Sequence, residues 1–111
     1  MGQHQFEADQ PGRARLILSG EFSLADAPEL KQAMVDALND CGGVLALHLD
    51  DVSGADLTFF QLLFALSAQA QQDGKGVELD AFMPDSLARR AEELGLARRD
   101  FEHVFYSGAV R

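Results

Sequence analysis

The sequence predicts one α/β domain covering residues 1–111, with a mostly parallel sheet of four to five strands and helices packed on it. Three observations carry this prediction. Short apolar runs alternate along the chain with segments whose apolar residues recur at helical spacing. Glycines punctuate most changes of period, at Gly12, Gly20, Gly42, Gly43, Gly74, Gly76 and Gly95. Strands alternating with helices of this length imply right-handed crossovers, and hence neighbouring parallel strands.

"ARLILSG" puts Leu16 and Leu18 on one side and Ile17 on the other, between Gly12 and Gly20, and reads as a strand. An extra strand at the front of the chain is compatible with the pattern. In "EFSLADAPELKQAMVDALND" the period changes. Ser23 or Asp26 is the N-cap, and Pro28 fits the first turn, where its missing N–H costs nothing. Leu30, Met34, Ala37 and Leu38 make the buried stripe. Gly42 and Gly43 then supply the left-handed backbone of a C-cap.

"VLALHL" is almost continuously apolar and predicts a strand buried on both faces. "DDVSGAD" reads as a loop, followed by a helix from Leu57 to about Gln72. "DGKG" breaks it, and "VELDAF" predicts a strand parallel to the previous one. "PDSLARRAEELGL" gives an amphipathic helix buried through Leu87, Ala91 and Leu94, with Gly95 as its stop. "FEHVFYSGAV" fits either a terminal strand or a packed tail.

The charge narrows the partners. Nine Lys and Arg stand against eighteen Asp and Glu, a net charge of −9. Nucleic-acid binding needs a cationic stripe that displaces counterions, and this chain has only a local group at Arg89, Arg90, Arg98 and Arg99. That group reads as a solvated helix face or a contact for an acidic partner. No apolar run reaches the roughly 20 residues of a membrane span, so membrane insertion is not expected. "MGQHQFEADQ" has neither the basic start nor the apolar core of a secretory signal. A lone Cys41 excludes an internal disulfide. These features together lead to the expectation of a cytoplasmic protein.

Catalytic signals are sparse. The glycines match no phosphate-cradling motif, because "GGVL" follows a helix rather than a strand. His4, His48 and His103 are dispersed, and one cysteine without paired histidines makes a zinc site unexpected. Asp50, Asp51 and Asp56 leave the central strand, where open α/β sheets favour ligands. Three carboxylates there suit a divalent cation or a partner contact, or else Asp56 or Ser53 simply caps the next helix. Ser53 and Thr58 are candidate phosphorylation sites. Nothing pairs a nucleophile with a base, so neither an enzyme nor a bound cofactor is expected.

"VLALHLDDVSGADLTFFQLL" resembles the central segment of STAS domains, the family shared by anti-sigma factor antagonists and sulfate transporters. "LILSGEFSLADAPELKQAM" and "MPDSLARRAEELGLARRDFEHVF" resemble the family's early strand with first helix and its closing segment. The resemblance implies a non-catalytic protein-binding module, whose partner is an anti-sigma factor kinase, a chemotaxis signalling protein or a transporter subunit. It leaves a homodimer and a small-ligand or nucleotide-binding role open. Ungapped alignment puts Asp56 on the family aspartate, Leu57 on its phosphorylated hydroxyl residue, Thr58 on the next small residue and Phe59 on a glycine. Leucine accepts no phosphate, and Thr58 is rotated by about 100° on a helix, so the usual phospho-switch is not expected.

The oily residues of this helix fall in two stripes, Phe60–Leu63–Phe64–Ser67 and Phe59–Leu62–Leu66. A surface helix needs one such stripe for its core. Either both are buried, or Leu57, Phe59 and Leu62 emerge at the helix start to dock a partner. The docking set expected on the second reading is Asp51, Ser53, Asp56, Leu57, Thr58, Phe59 and Leu62, the first two through the shared loop.

Overall fold

The computed structural model describes residues 2–79 and 85–96. Their order is β1 (Gln3–Gln10), β2 (Arg13–Phe22), a short 3-10 turn (Leu24–Asp26), α1 (Ala27–Asp40), β3 (Val44–Ala55), α2 (Leu57–Gln72), β4 (Gly76–Leu79) and α3 (Asp85–Glu93). The sheet runs β1-β2-β3-β4. β1 is the extra front strand and pairs antiparallel with β2, whereas β2–β3 and β3–β4 are parallel. The sheet is therefore mixed and mostly parallel. The "FEHVFYSGAV" segment and the end of "VELDAF" lie outside the described residues.

Each parallel step moves the chain one strand in the same direction, so right-handed crossovers put α1 and α2 on the same face. The alternation in β2 buries Ala14, Leu16 and Leu18 toward them, joined by Leu45, Leu47 and Leu49 of β3. α1 contributes Leu30, Met34, Ala37 and Leu38, as its periodicity predicts. Cys41 closes this layer. It is 2% exposed, its Sγ donates to the Leu38 carbonyl at 3.2 Å, and burial pushes its thiol pKa up. Its environment is that of a small core residue.

Two turns meet at one end of the sheet. Gly12 (φ +81°) and Gly42 (φ +86°) both need left-handed backbone. A Cβ on Gly42 would stand 2.8 Å from Gly12 Cα, and Gly12 O accepts from the N–H groups of Gly43 and Val44. The hairpin turn is thereby tied to the start of β3.

The entry to α1 uses both residues proposed for its cap. Ser23 precedes the 3-10 turn, and the Asp26 carboxylate accepts from the Ser23 N–H at 2.9 Å and its hydroxyl at 3.2 Å. The Ser23 N–H chiefly holds the Asp26 carboxyl below its usual 3.8. A carboxyl with a depressed folded pKa adds stability that is complete above the unfolded value. That increment disappears as pH falls through the folded one. Acid titration followed by circular dichroism should show this loss below about pH 4, with Asp26→Asn having a shallower acid limb.

Candidate functional site

The segment predicted as a loop is strand. β3 continues through Asp50, Asp51, Val52, Ser53 and Gly54 to Ala55. The pairing with β2 explains why its sequence misleads. Ile17 pairs with His48 but Ser19 with Asp51, and Gly20 pairs with Val52 but Glu21 with Gly54. β3 thus carries an extra residue at each of two bulges, which break alternation and leave Asp50 and Asp51 both exposed. Ser53 lies at the second bulge, also exposed. The strand ends where Arg90 Nε of α3 donates to the Ala55 carbonyl at 2.9 Å.

Asp56 makes the strand-to-helix turn. Its N–H donates to Phe22 O at 3.2 Å, and its carboxylate accepts from Phe59 N–H at 3.3 Å as the N-cap of α2. Ser53 is three residues too early to share that role. Asp56→Ala should cost about 1 kcal/mol in denaturant unfolding, the ordinary value of a lost cap. The three aspartates are not gathered for a cation: among the described residues, no group of three His, Cys, Asp or Glu is placed to hold a metal ion. His48 is half-buried in β3, with Nε2 3.9 Å from an Asp50 carboxylate oxygen.

The two stripes of α2 turn out to be one broad buried face. Phe59, Phe60, Leu63, Leu66, Ser67 and Ala70 are its buried residues. Phe59 is 1% exposed, which overturns the expectation that it faces a partner. Its ring stacks on Phe22 with centroids 5.1 Å apart, and meets Phe60 edge-on at 5.5 Å. Gly2 lies against the Phe22 ring, where an added Cβ would overlap it. Three aromatic rings thus join the end of β2 to the first turn of α2. Phe59, which the resemblance set on a glycine position, fills this junction.

Leu57 does emerge, at 40% exposure. Leu62 is half-buried, and it does not join Leu57 in one patch as the docking set supposed. Five residues at about 100° each set the two side chains about 140° apart around the helix. Leu62 turns toward α1, where it lines a cleft with Met34, Val35 and Leu38. Thr58 is half-buried beside the cap.

One apolar residue at this end escaped the sequence reading. Leu24, in the 3-10 turn, is 68% exposed, more than any other large apolar side chain among the described residues. Phe22 of β2 and Ala55 of β3 are register partners. Leu24 and Leu57 each follow their partner by two residues, so both stand at the carboxyl end of adjacent strands. The available signal was that Leu24 precedes the periodic stripe of α1 and has no place in it.

Ser53 belongs to a different surface. It lines a cleft of about 190 Å³ with Ala55 of β3 and Ser86, Arg90 and Glu93 of α3. The expected docking set is therefore divided: Leu57, Thr58 and the Asp56 cap lie at the helix start, Asp51 and Ser53 on the bulged strand, Leu62 in the helix–helix cleft and Phe59 in the core. No helix among the described residues is long and apolar enough to cross a membrane.

Comparison with known proteins places this arrangement. A family model described as "Mlab, STAS domain" matches residues 6–104. The structure of the anti-sigma factor antagonist SpoIIAA in its unphosphorylated form superposes with a TM-score of 0.68 at 13% identity, over 85% of this chain and 82% of that one. An anti-sigma factor antagonist from Mycobacterium paratuberculosis gives 0.67 at 21% identity, over 95% and 83%. A structure of Mglu gives 0.57 at 23% identity over 69% of this chain, which spans only 19% of that chain. At these identities the likeness is one of fold. No curated protein sequence matches.

Proposed function

The chain belongs to the STAS domain family, and from that premise we propose a non-catalytic protein-binding signalling module resembling the anti-sigma factor antagonists. It docks its partner through the start of α2, and it works without a phosphoserine switch at the family position. The observation that carries this reading is that Leu24 and Leu57 are both exposed, each two residues beyond the register-paired ends of adjacent strands. Exposed leucines on a rigid edge are inexpensive to bury, because the strand ends and the Asp56 cap already hold them in place. Asp56 and Thr58, at the same helix start as Leu57, supply polar rim, which suits the usual anatomy of an interface. The partner classes are an anti-sigma factor kinase, a chemotaxis signalling protein or a transporter subunit. Co-purification with each candidate encoded near the gene tests the reading. A folded Leu24→Asp/Leu57→Asp variant that still retains its partner would refute it.

A second reading is favoured by one cleft. Ser53 shares its cleft with Arg90, whose Nε is already fixed on Ala55 O. A phosphate on Ser53 would add about −1.5 to −2 charge beside a positioned guanidinium, a pairing that orders rather than repels. Thr58, half-buried in the first turn, is the poorer acceptor. Incubation with a cognate serine kinase and peptide mass spectrometry should place any modification on Ser53. An unmodified chain removes this reading and leaves the first intact.

A further inference from the structure

We propose that the cleft between α1 and α2 is a second docking surface, shaped for one amphipathic helix of a partner protein that carries basic residues at one end. The cleft encloses about 300 Å³, with Met34, Leu38, Leu62 and Leu66 as its floor and Val35 and Ala65 on its lips. Val35 is 42% exposed although it lies beside buried Met34. Two helices packed on the same sheet face leave a furrow along their axes, and a third helix is the element whose apolar stripe fits such a furrow.

The charges at its two ends state what must lie over them. α1 and α2 both return from the carboxyl to the amino ends of parallel strands, so their C-termini lie at the same end of the cleft. Neither has a basic residue in its last turn. Asp73 lines the cleft there, and Asp40 is the last residue of α1. Asp73 accepts from the neutral Gln69 amide at 3.1 Å, which leaves its charge uncompensated by that contact. Lys75 donates to Leu38 O at 2.7 Å at this end, where the described residues also place two carboxylates and two negative helix termini. Lys31 lines the opposite end. The complementary occupant carries arginine or lysine over Asp73 and an acid over Lys31. The negative end disfavours an anionic amphiphile, which would place its charge at Lys31 alone.

This surface is independent of the Leu24–Leu57 edge, from which Leu62 turns away by about 140°. The test titrates the ¹⁵N-labelled full chain with a synthetic 16-residue amphipathic peptide, arginine at one end and glutamate at the other. A spin label is attached at the arginine end. The expected result is saturable shifts at Val35, Leu62 and Ala65, with broadening at Gln69 and Asp73. A scrambled peptide without an apolar stripe should bind at least ten-fold more weakly. Val35→Asp and Ala65→Glu, both at solvent-facing positions, should weaken binding at least ten-fold, and Leu24→Asp/Leu57→Asp should bind as the native chain does. Broadening at Lys31 instead of Asp73, or equal binding of the scrambled peptide, would overturn the proposal. So would laurate occupying the cleft in preference to the peptide, or the same residues shifting with protein concentration alone through self-association.

Discussion

Phe59→Ala should destabilise the protein by about 3–5 kcal/mol, the usual cost of emptying a buried aromatic site. The ring lies 1% exposed between Phe22 and Phe60, and its removal uncouples the first turn of α2 from the end of β2. A domain of this size has about 5–15 kcal/mol in total, so the loss is a large part of its stability. Urea unfolding followed by circular dichroism suits this chain, which has no tryptophan and one tyrosine. A loss below about 1 kcal/mol would mean that the ring is not in the core, because surface substitutions rarely exceed that.

The reverse is expected of the exposed pair. Leu24→Asp combined with Leu57→Asp should leave the unfolding midpoint almost unchanged, since the side chains are 68% and 40% exposed. Affinity for the protein partner should fall by about 30- to 1,000-fold. That range corresponds to losing about 2–4 kcal/mol, less than the ~1.5–3 kcal/mol per fully buried leucine would sum to, because both start partly buried. Isothermal titration calorimetry on the isolated partner measures it. Undiminished affinity with an unchanged midpoint would remove the edge from the interface.

These two outcomes separate residues that the sequence made look alike. The order of elements, the parallel steps β2–β3–β4 and the span of α2 were all legible, because apolar period and glycine punctuation decide them locally. The resemblance to STAS domains was equally legible. Asp50, Asp51, Ser53 and Gly54 were not legible as strand, since a polar run imitates a loop and a β-bulge is defined only by its partner strand. Phe59 was placed in a second stripe because one helix considered alone gives no depth. How far α2 sinks depends on Phe22, which arrives from β2, 37 positions earlier in the chain. Leu24 was missed for the complementary reason. Its exposure follows from the Ser23–Asp26 turn, and its place at the same end of the sheet as Leu57 from the pairing of Phe22 with Ala55. Long-range register made both the buried junction and the exposed edge.

The most direct test is a methyl-resolved NMR titration of the full chain with its protein partner. Resonances of Leu24 and Leu57 should broaden or shift first and most, while the methyls of buried Leu45, Leu47 and Leu63 respond only weakly. A response centred elsewhere, with the Leu24 and Leu57 methyls unmoved at saturation, would contradict the assignment of the paired strand ends as the docking surface.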